Sequence, residues 1–291
     1  MSREAATGTI AIIGGDARER TIAALAAQTG RNVRIIGFPL PDIALPGITV
    51  ASSPVEAAHG SDALILPLPG MKGLSVFAPQ SRDPITIDRS VLEALAPGAR
   101  IICGHASAEF AALAGSFDLK LFEYEEDIAG RVARAPAIAE GAVARIVLDT
   151  DATIHGARIA VLGFGVVAEH VAAALAALHG RITVFARSAE QRAAASAAGH
   201  AVEPLDGLAG KLDGFDVVVS VIPAPVLTAQ VLERIPATCT VFDLASPPGS
   251  ADHTAAVGLG KKVIWARGLG ATSPVSVGRA QWSLIERLLH A

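Results

Sequence analysis

Aromatic side chains are scarce in this chain of 291 residues: they make up 4% of it, with one Tyr and two Trp. Any core must therefore be aliphatic, and a hydrophobic share of 51% is enough to build one. Cysteine is nearly missing too. Cys103 and Cys239 are the two present, each in its own expected strand, which argues for small buried residues rather than a disulfide or a metal pair. That usage suits a reducing compartment. A basic excess is also lacking. The formal net charge is -4, which argues against nucleic acid or an anionic membrane as the main partner. No stretch is long and uncharged enough to span a bilayer; Val166 to Leu178 is interrupted by Glu169 and His170. The opening Met-Ser-Arg-Glu-Ala-Ala-Thr lacks the apolar core of a signal peptide, so a cytoplasmic protein is expected. Spacings such as H-E-x-x-H, C-x-x-C and G-x-S-x-G do not occur, and no metal site is expected.

What is present is a rhythm of short apolar strands and alanine-rich helices. Thr9 to Ile13, Val33 to Ile36, Ala63 to Leu66, Arg100 to Cys103 and Leu119 to Phe122 read as strands. Arg18 to Gln28, Asp88 to Leu95 and Ala106 to Leu113 read as helices, and Ser81-Arg-Asp-Pro84 as a loop. Ala137 to Asp149 reads as a helix that bridges to a second series of strands at Arg158–Leu162, Ile182–Ala186, Val217–Val221, Thr240–Leu244 and Val263–Trp265. Apolar strands of this kind suit a parallel sheet covered on both faces. The fold class expected is α/β, with two Rossmann-like open parallel-sheet domains and a cleft between them. Residues 1–136 would form the substrate-side domain, 137–152 a linking helix and 153–276 the dinucleotide domain. A last helix over 277–291 would cross back to the first domain.

The segment after Arg158–Leu162 is the most informative. Gly163-Phe-Gly165-Val-Val-Ala168 then opens the helix Val166 to Leu178, in the order of the dinucleotide fingerprint. Gly163 permits the turn, Gly165 lets backbone amides reach a pyrophosphate, and small Ala168 lets helix and strand pack closely. Phe164, Val166 and Val167 fall in the same turn, whose helix N-terminus favours phosphate charge. An NAD enzyme carries an acidic residue at the end of the next strand. Here that strand ends in Arg187-Ser188, which can embrace a 2′-phosphate, so NADP(H) is the expected cofactor. The alternative is a surface Arg at the start of the next helix. Further cofactor contacts are expected past the carboxyl ends of later strands, at Val221, Ile222, Pro223, Asp243, Ala245 and Gly268, with Ser246 and Arg267 toward a substrate. For the prolines, plain loop punctuation is the competing reading.

In the first half, Gly14-Gly15-Asp16-Ala-Arg18 makes another strand–turn–helix junction without G-x-G spacing. Asp16 and Arg18 could hold a substrate carboxylate there, or Asp16 could simply cap the helix. His105, after Cys103-Gly104 at a strand end, is the best-placed histidine for proton transfer. Glu123, first of a carboxylate-rich run, and Glu140, on the bridging helix, are the other acid–base candidates. A solvated run and a helix-dipole role are their bland alternatives.

Several of these segments together resemble the family of the dipicolinate synthase A subunit. They are Ile12-Ile-Gly-Gly-Asp-Ala-Arg18, Leu121-Phe-Glu123 with Asp127-Ile-Ala129, Glu140-Gly141, Thr153-Ile-His-Gly156, Ala186-Arg-Ser188 and Asp243-Leu-Ala-Ser246. The resemblance runs in order along almost the whole chain. It implies a two-domain, hydroxyacid-dehydrogenase-like NADP enzyme that oxidises a dihydrodipicolinate-type ring to pyridine-2,6-dicarboxylate. It also implies, for a partner, a flavoprotein-like B subunit, and a homo-oligomer is expected. Three segments depart from the family pattern. Arg134-Ala-Pro-Ala-Ile-Ala139 stands in place of Asn-Ser-Ile-Pro-Thr, Pro247-Pro248-Gly249 in place of Arg-Pro-Gly, and Arg267-Gly-Leu-Gly-Ala271 in place of Pro-Gly-Leu-Pro-Gly. They cluster where substrate is expected, so the resemblance carries the cofactor further than the substrate. A dinucleotide-binding protein without turnover and a 2-hydroxyacid dehydrogenase are the alternative functions.

Overall fold

Strand–helix alternation dominates the computed structural model, which describes residues 8–38 and 46–291. The opening segment read for a signal peptide lies outside the described residues. One compact unit runs to Ala133 and takes in Ser273–Ala291; the other is Arg134–Thr272.

The first unit contains β1 (Thr9–Ile13), α1 (Ala17–Gln28), β2 (Asn32–Ile36), β3 (Ile48–Val50), α2 (Pro54–Ala58) and β4 (Ala63–Ile65). Three short strands follow, β5 (Met71–Lys72), β6 (Ser75–Val76) and β7 (Ile85–Thr86), then α3 (Arg89–Glu93), β8 (Arg100–Cys103), α4 (Ala108–Ala114) and β9 (Lys120–Glu123). The main sheet has the order β3-β2-β1-β4-β8-β9, and every pair in it is parallel. Helix α5 (Ile128–Asp149) carries the chain onward.

The second unit contains β10 (Arg158–Leu162), α6 (Val166–Ala177), β11 (Arg181–Ala186), α7 (Ala189–Ala197), β12 (Ala201–Pro204) and β13 (Val217–Ser220). It closes with α8 (Ala229–Arg234), β14 (Thr240–Asp243), α9 (His253–Gly258) and β15 (Val263–Trp265). Its sheet order is β12-β11-β10-β13-β14-β15, again all parallel. Each sheet thus reverses its winding beside its own first strand, the point where open α/β sheets bind ligands. Strands β1 and β10 are buried for all but their first residue, because helices cover both faces.

Beyond the second unit, α10 (Pro274–Leu288) packs on α1. The approach is close: a Cβ on Gly278 would lie 2.6 Å from the Thr21 side chain and 2.8 Å from the Arg18 carbonyl oxygen. Trp282, Leu284 and Ile285 on α10 join Ile12, Ile22 and Ile35 in one apolar cluster.

Two elements differ from the sequence expectation. Helix α5 begins at Ile128 rather than Ala137, with Pro136 inside it. Asp127 supplies the start signal, its carboxylate accepting the Gly130 N–H at 2.8 Å. The stretch around Ser81-Arg-Asp-Pro84 is not only loop, since β5, β6 and β7 form a small antiparallel sheet around it. Among the described residues no helix is long and apolar enough to cross a membrane.

Candidate functional site

The two units repeat one strand–glycine–helix junction and treat it in opposite ways. In the second unit, Gly163 has φ +91 and Gly165 is the N-cap of α6, with no side chain accepting from the helix's first amides. A Cβ on Gly165 would meet nothing within 4 Å. The leading N–H groups of α6 are therefore free to receive an anion. Val166 and Val167 are half-buried, whereas the Phe164 side chain turns into the core, edge-on to His200. Phe164 thus offers the turn its backbone. The side chains of Val221 and Ile222 lie 3.3 and 3.1 Å from where a Gly163 Cβ would stand, so these expected cofactor residues do converge. Pro223 is exposed beside them.

At the end of β11, Arg187 is exposed and Ser188 is the N-cap of α7, accepting from the Gln191 N–H. The Ser188 hydroxyl also donates to Glu190 at 2.5 Å, a bond that holds the Glu190 pKa below its usual value. Arg192 was not singled out from the sequence. Its Nη1 donates to the Ala186 and Arg187 carbonyl oxygens at 2.8 and 2.7 Å, so a second guanidinium is fastened to the same strand end. The legible signal was an arginine in the first turn of the helix that follows the strand.

Asp243 was expected to touch the cofactor, and its carboxylate has another task. It is fully buried, with Oδ1 accepting from the Ala245 N–H at 3.0 Å. Oδ2 accepts from the Ser250 N–H at 2.7 Å and the Ala251 N–H at 3.1 Å, and lies 3.2 Å from His253 Nε2. The side chain therefore folds the loop after β14 back on itself, around a cis Pro247-Pro248 bond. His253 stacks on Trp265 with ring centroids 5.0 Å apart, and Arg267 lies over Trp265 at 5.1 Å. Ser246, Arg267 and Gly268 are exposed near this stack, and Ala245 is buried.

In the first unit the corresponding junction is already filled. Asp16 caps α1, and Glu19 accepts the Asp16 N–H at 2.7 Å, completing a reciprocal capping box. Arg18 grips Asp16 in two bonds, Nε to Oδ1 at 2.9 Å and Nη2 to Oδ2 at 2.8 Å. Both candidate substrate residues are thus engaged with each other. Burial pushes the Asp16 pKa up, but the Arg18 hydrogen bonds outweigh it and leave the value lowered. Burial dominates at Glu19, which is pushed up to about 7. The small sheet closes the same crevice. Gly15 N donates to the Phe77 carbonyl at 2.6 Å, Val76 packs against Gly14, and Ile85 against Gly37.

His105 and Glu123, chosen separately as acid–base candidates, come together past the carboxyl ends of β8 and β9. His105 Nδ1 lies 3.0 Å from Glu123 Oε1, which also accepts the Ala106 N–H at 2.6 Å. Both remain open to solvent, 66% and 47% exposed. Gly104 makes this turn possible: a Cβ there would stand 1.9 Å from the Leu68 carbonyl oxygen. Cys103, just below, is buried and its thiol is pushed up to about 12, by burial first and by Glu123 second. Glu140 is exposed on α5. No cluster of His, Cys, Asp and Glu suited to a metal ion occurs among the described residues.

Comparison with known proteins matches these two units to separate family models. Residues 9–125 match the N-terminal domain of the dipicolinate synthase A subunit, and residues 143–258 match shikimate/quinate 5-dehydrogenase. The A subunit of dipicolinate synthase from Bacillus subtilis (strain 168) is 29% identical over 285 residues, 96% of this chain and 95% of that protein. The crystal structure of the A subunit of dipicolinate synthase from Bacillus halodurans superposes with a TM-score of 0.89 at 29% identity, covering 98% of each chain. That of the Bacillus subtilis protein superposes with a TM-score of 0.86 at 27% identity, covering 99% of this chain and 98% of the other. Sequence and fold are both similar to the A subunit of dipicolinate synthase over nearly the whole length of the chain.

Proposed function

We propose that the chain is an NADP-dependent oxidoreductase that converts a dihydrodipicolinate-type heterocyclic dicarboxylate, or a related cyclic imine, to its aromatic product. The observation that carries the cofactor part is the uncapped turn at Gly163–Ala168, next to a strand end bearing Arg187, Ser188 and Arg192. The first amides of α6 would receive the pyrophosphate. Arg187 and Ser188 would take the 2′-phosphate, with Arg192 adding positive charge from its anchored position. The substrate class rests on likeness to proteins named for the A subunit of dipicolinate synthase. The same name supports a partner of a second subunit type.

When bound, the nicotinamide supplies the hydride acceptor; aromatisation of the ring also releases a proton. With Glu123 accepting from Nδ1, His105 keeps Nε2 as the base for that proton. Glu123 orients the imidazole.

Fluorescence titration with NADPH and NADH tests the cofactor assignment. Arg187→Asp is expected to lower the preference for NADPH by about tenfold to a hundredfold, since a charge-assisted hydrogen bond contributes ~1.5–3 kcal/mol. An unchanged preference overturns it. Turnover is tested with dihydro-heterocyclic dicarboxylates, with and without a B-type subunit. His105→Ala is expected to cut kcat by about 10²–10⁴-fold, and full activity in that variant removes His105 from the reaction.

A further inference from the structure

The amino-terminal edge of the first sheet takes no part in that reading, and it holds a cavity of about 320 Å³. The first residues of β1, β4 and β8 line it, together with Arg31, Asp62 and His290 just past α10. With five residues in β1 at about 3.3 Å each, this edge lies roughly 15 Å from the edge that bears His105.

Its charges are unusual. Arg31 is 8% exposed. Its Nη1 donates to the Thr29 hydroxyl at 2.8 Å, and its Nη2 lies 3.4 Å from His290 Nε2. Neither partner carries negative charge. Arg100 lines the same cavity. Its Nε is buried and has no hydrogen-bond partner among the described residues, while Nη2 donates to a backbone oxygen of Ala291 at 3.3 Å, which answers part of its charge. Asp62 is the carboxylate side chain of the lining, and its Oδ2 is taken by the Thr9 N–H at 2.8 Å. Among the described residues it forms no ion pair with either arginine. A buried guanidinium is ordinarily neutralised by a carboxylate or a bound anion. Here the protein provides two guanidinium groups and an imidazole around an open space, with a spare buried N–H among them.

We propose that this cavity is a binding site for a phosphate-type oxyanion, held by Arg31 and Arg100 with His290 at its rim. Guanidinium forks match the oxygen geometry of phosphate, and several donors can share one tetrahedral anion. The volume sits at the small end of ligand cavities, enough for a phosphate with a short organic tail. The ligand is therefore inorganic phosphate or a small phosphomonoester.

Equilibrium dialysis with radiolabelled inorganic phosphate at constant ionic strength tests this on the full chain. Arg187→Ala with saturating NADH serves as the background, so that neither the end of β11 nor the open amides of α6 contribute phosphate binding. One phosphate per chain is expected to bind in that background and to weaken by about tenfold or more in Arg100→Gln and in Arg31→Met. Should Arg31→Met fail to fold, Arg100→Gln decides alone. Displacement by glycerol 3-phosphate more tightly than by phosphate itself assigns the monoester, and equal or weaker displacement assigns the free ion. Phosphate binding that survives both substitutions, or none at millimolar concentration in the Arg187→Ala background, overturns the proposal.

Discussion

Replacing Glu19 by Gln is expected to change how stability depends on pH, and the size of the change follows from the surroundings of the carboxyl group. Glu19 is wholly buried; Oε2 accepts the Asp16 N–H, and Oε1 has no hydrogen-bond partner among the described residues. Burial pushes its pKa from 4.5 up to about 7 in the folded chain. Between these values the folded chain holds a proton that the unfolded chain has lost, so stability falls as pH rises. The span is about 2.5 pH units, and at 1.36 kcal/mol per unit the loss amounts to about 3 kcal/mol from pH 4.5 to above pH 7. Gln can still accept the Asp16 N–H and cannot ionise. Its amide adds a constant cost or gain, so the slope is the test rather than the absolute value. The assay is urea unfolding at several pH values between 5 and 8, followed by Trp282, which is buried in the first unit's apolar cluster. A Trp265→Phe background removes the tryptophan of the second unit. The Gln variant should gain on the parent by about 2.5 kcal/mol between pH 5 and pH 8. A constant difference across that range would mean that Glu19 titrates as an ordinary carboxyl and that the reasoning is wrong.

Two further expectations concern backbone and thiols. Gly104→Ala should destabilise the first unit by about 3 kcal/mol or more, because its Cβ would meet the Leu68 backbone rather than a movable side chain. Gly210→Ala, where a Cβ meets nothing within 4 Å, is the control, and equal melting temperatures for the two variants would refute the point. Cys103 and Cys239 are both pushed up to about 12, chiefly by burial, so at pH 8 about one thiol in ten thousand is ionised. Thiol reagents should label the chain only on unfolding; fast labelling of the native protein would count against the burial of both.

Much of the architecture could be read from periodicity. Strands such as Ile10–Ile13 and Ile159–Leu162 are continuous apolar runs, and a buried parallel strand has little freedom to be anything else. Local signals failed where tertiary context decided. The bridging helix was expected from Ala137, yet α5 also takes in Gly130 and Pro136 because Asp127 starts it and packing sustains it. Strands β5 to β7 have only two residues each, too few for alternation to show. At the site, the glycine turn was legible because its chemistry is local. The approach of His105 to Glu123 was not, because it depends on the parallel pairing of β8 with β9. The separate role of Asp243 was hidden for the same reason, since three of its four partners lie seven to ten residues away.

The capping box at α1 has a consequence for selectivity. Both sheets present a helix N-terminus at the point where their winding reverses, and an anion arriving from solvent could in principle choose either. At α1 the choice is already made, because the carboxylates of Asp16 and Glu19 are tethered ligands for those amides. A tethered ligand competes at an effective concentration that no free cofactor reaches. Self-occupancy therefore makes the two junctions unequal, and under the proposed function the open one at Gly165 would receive the dinucleotide without needing stronger contacts of its own.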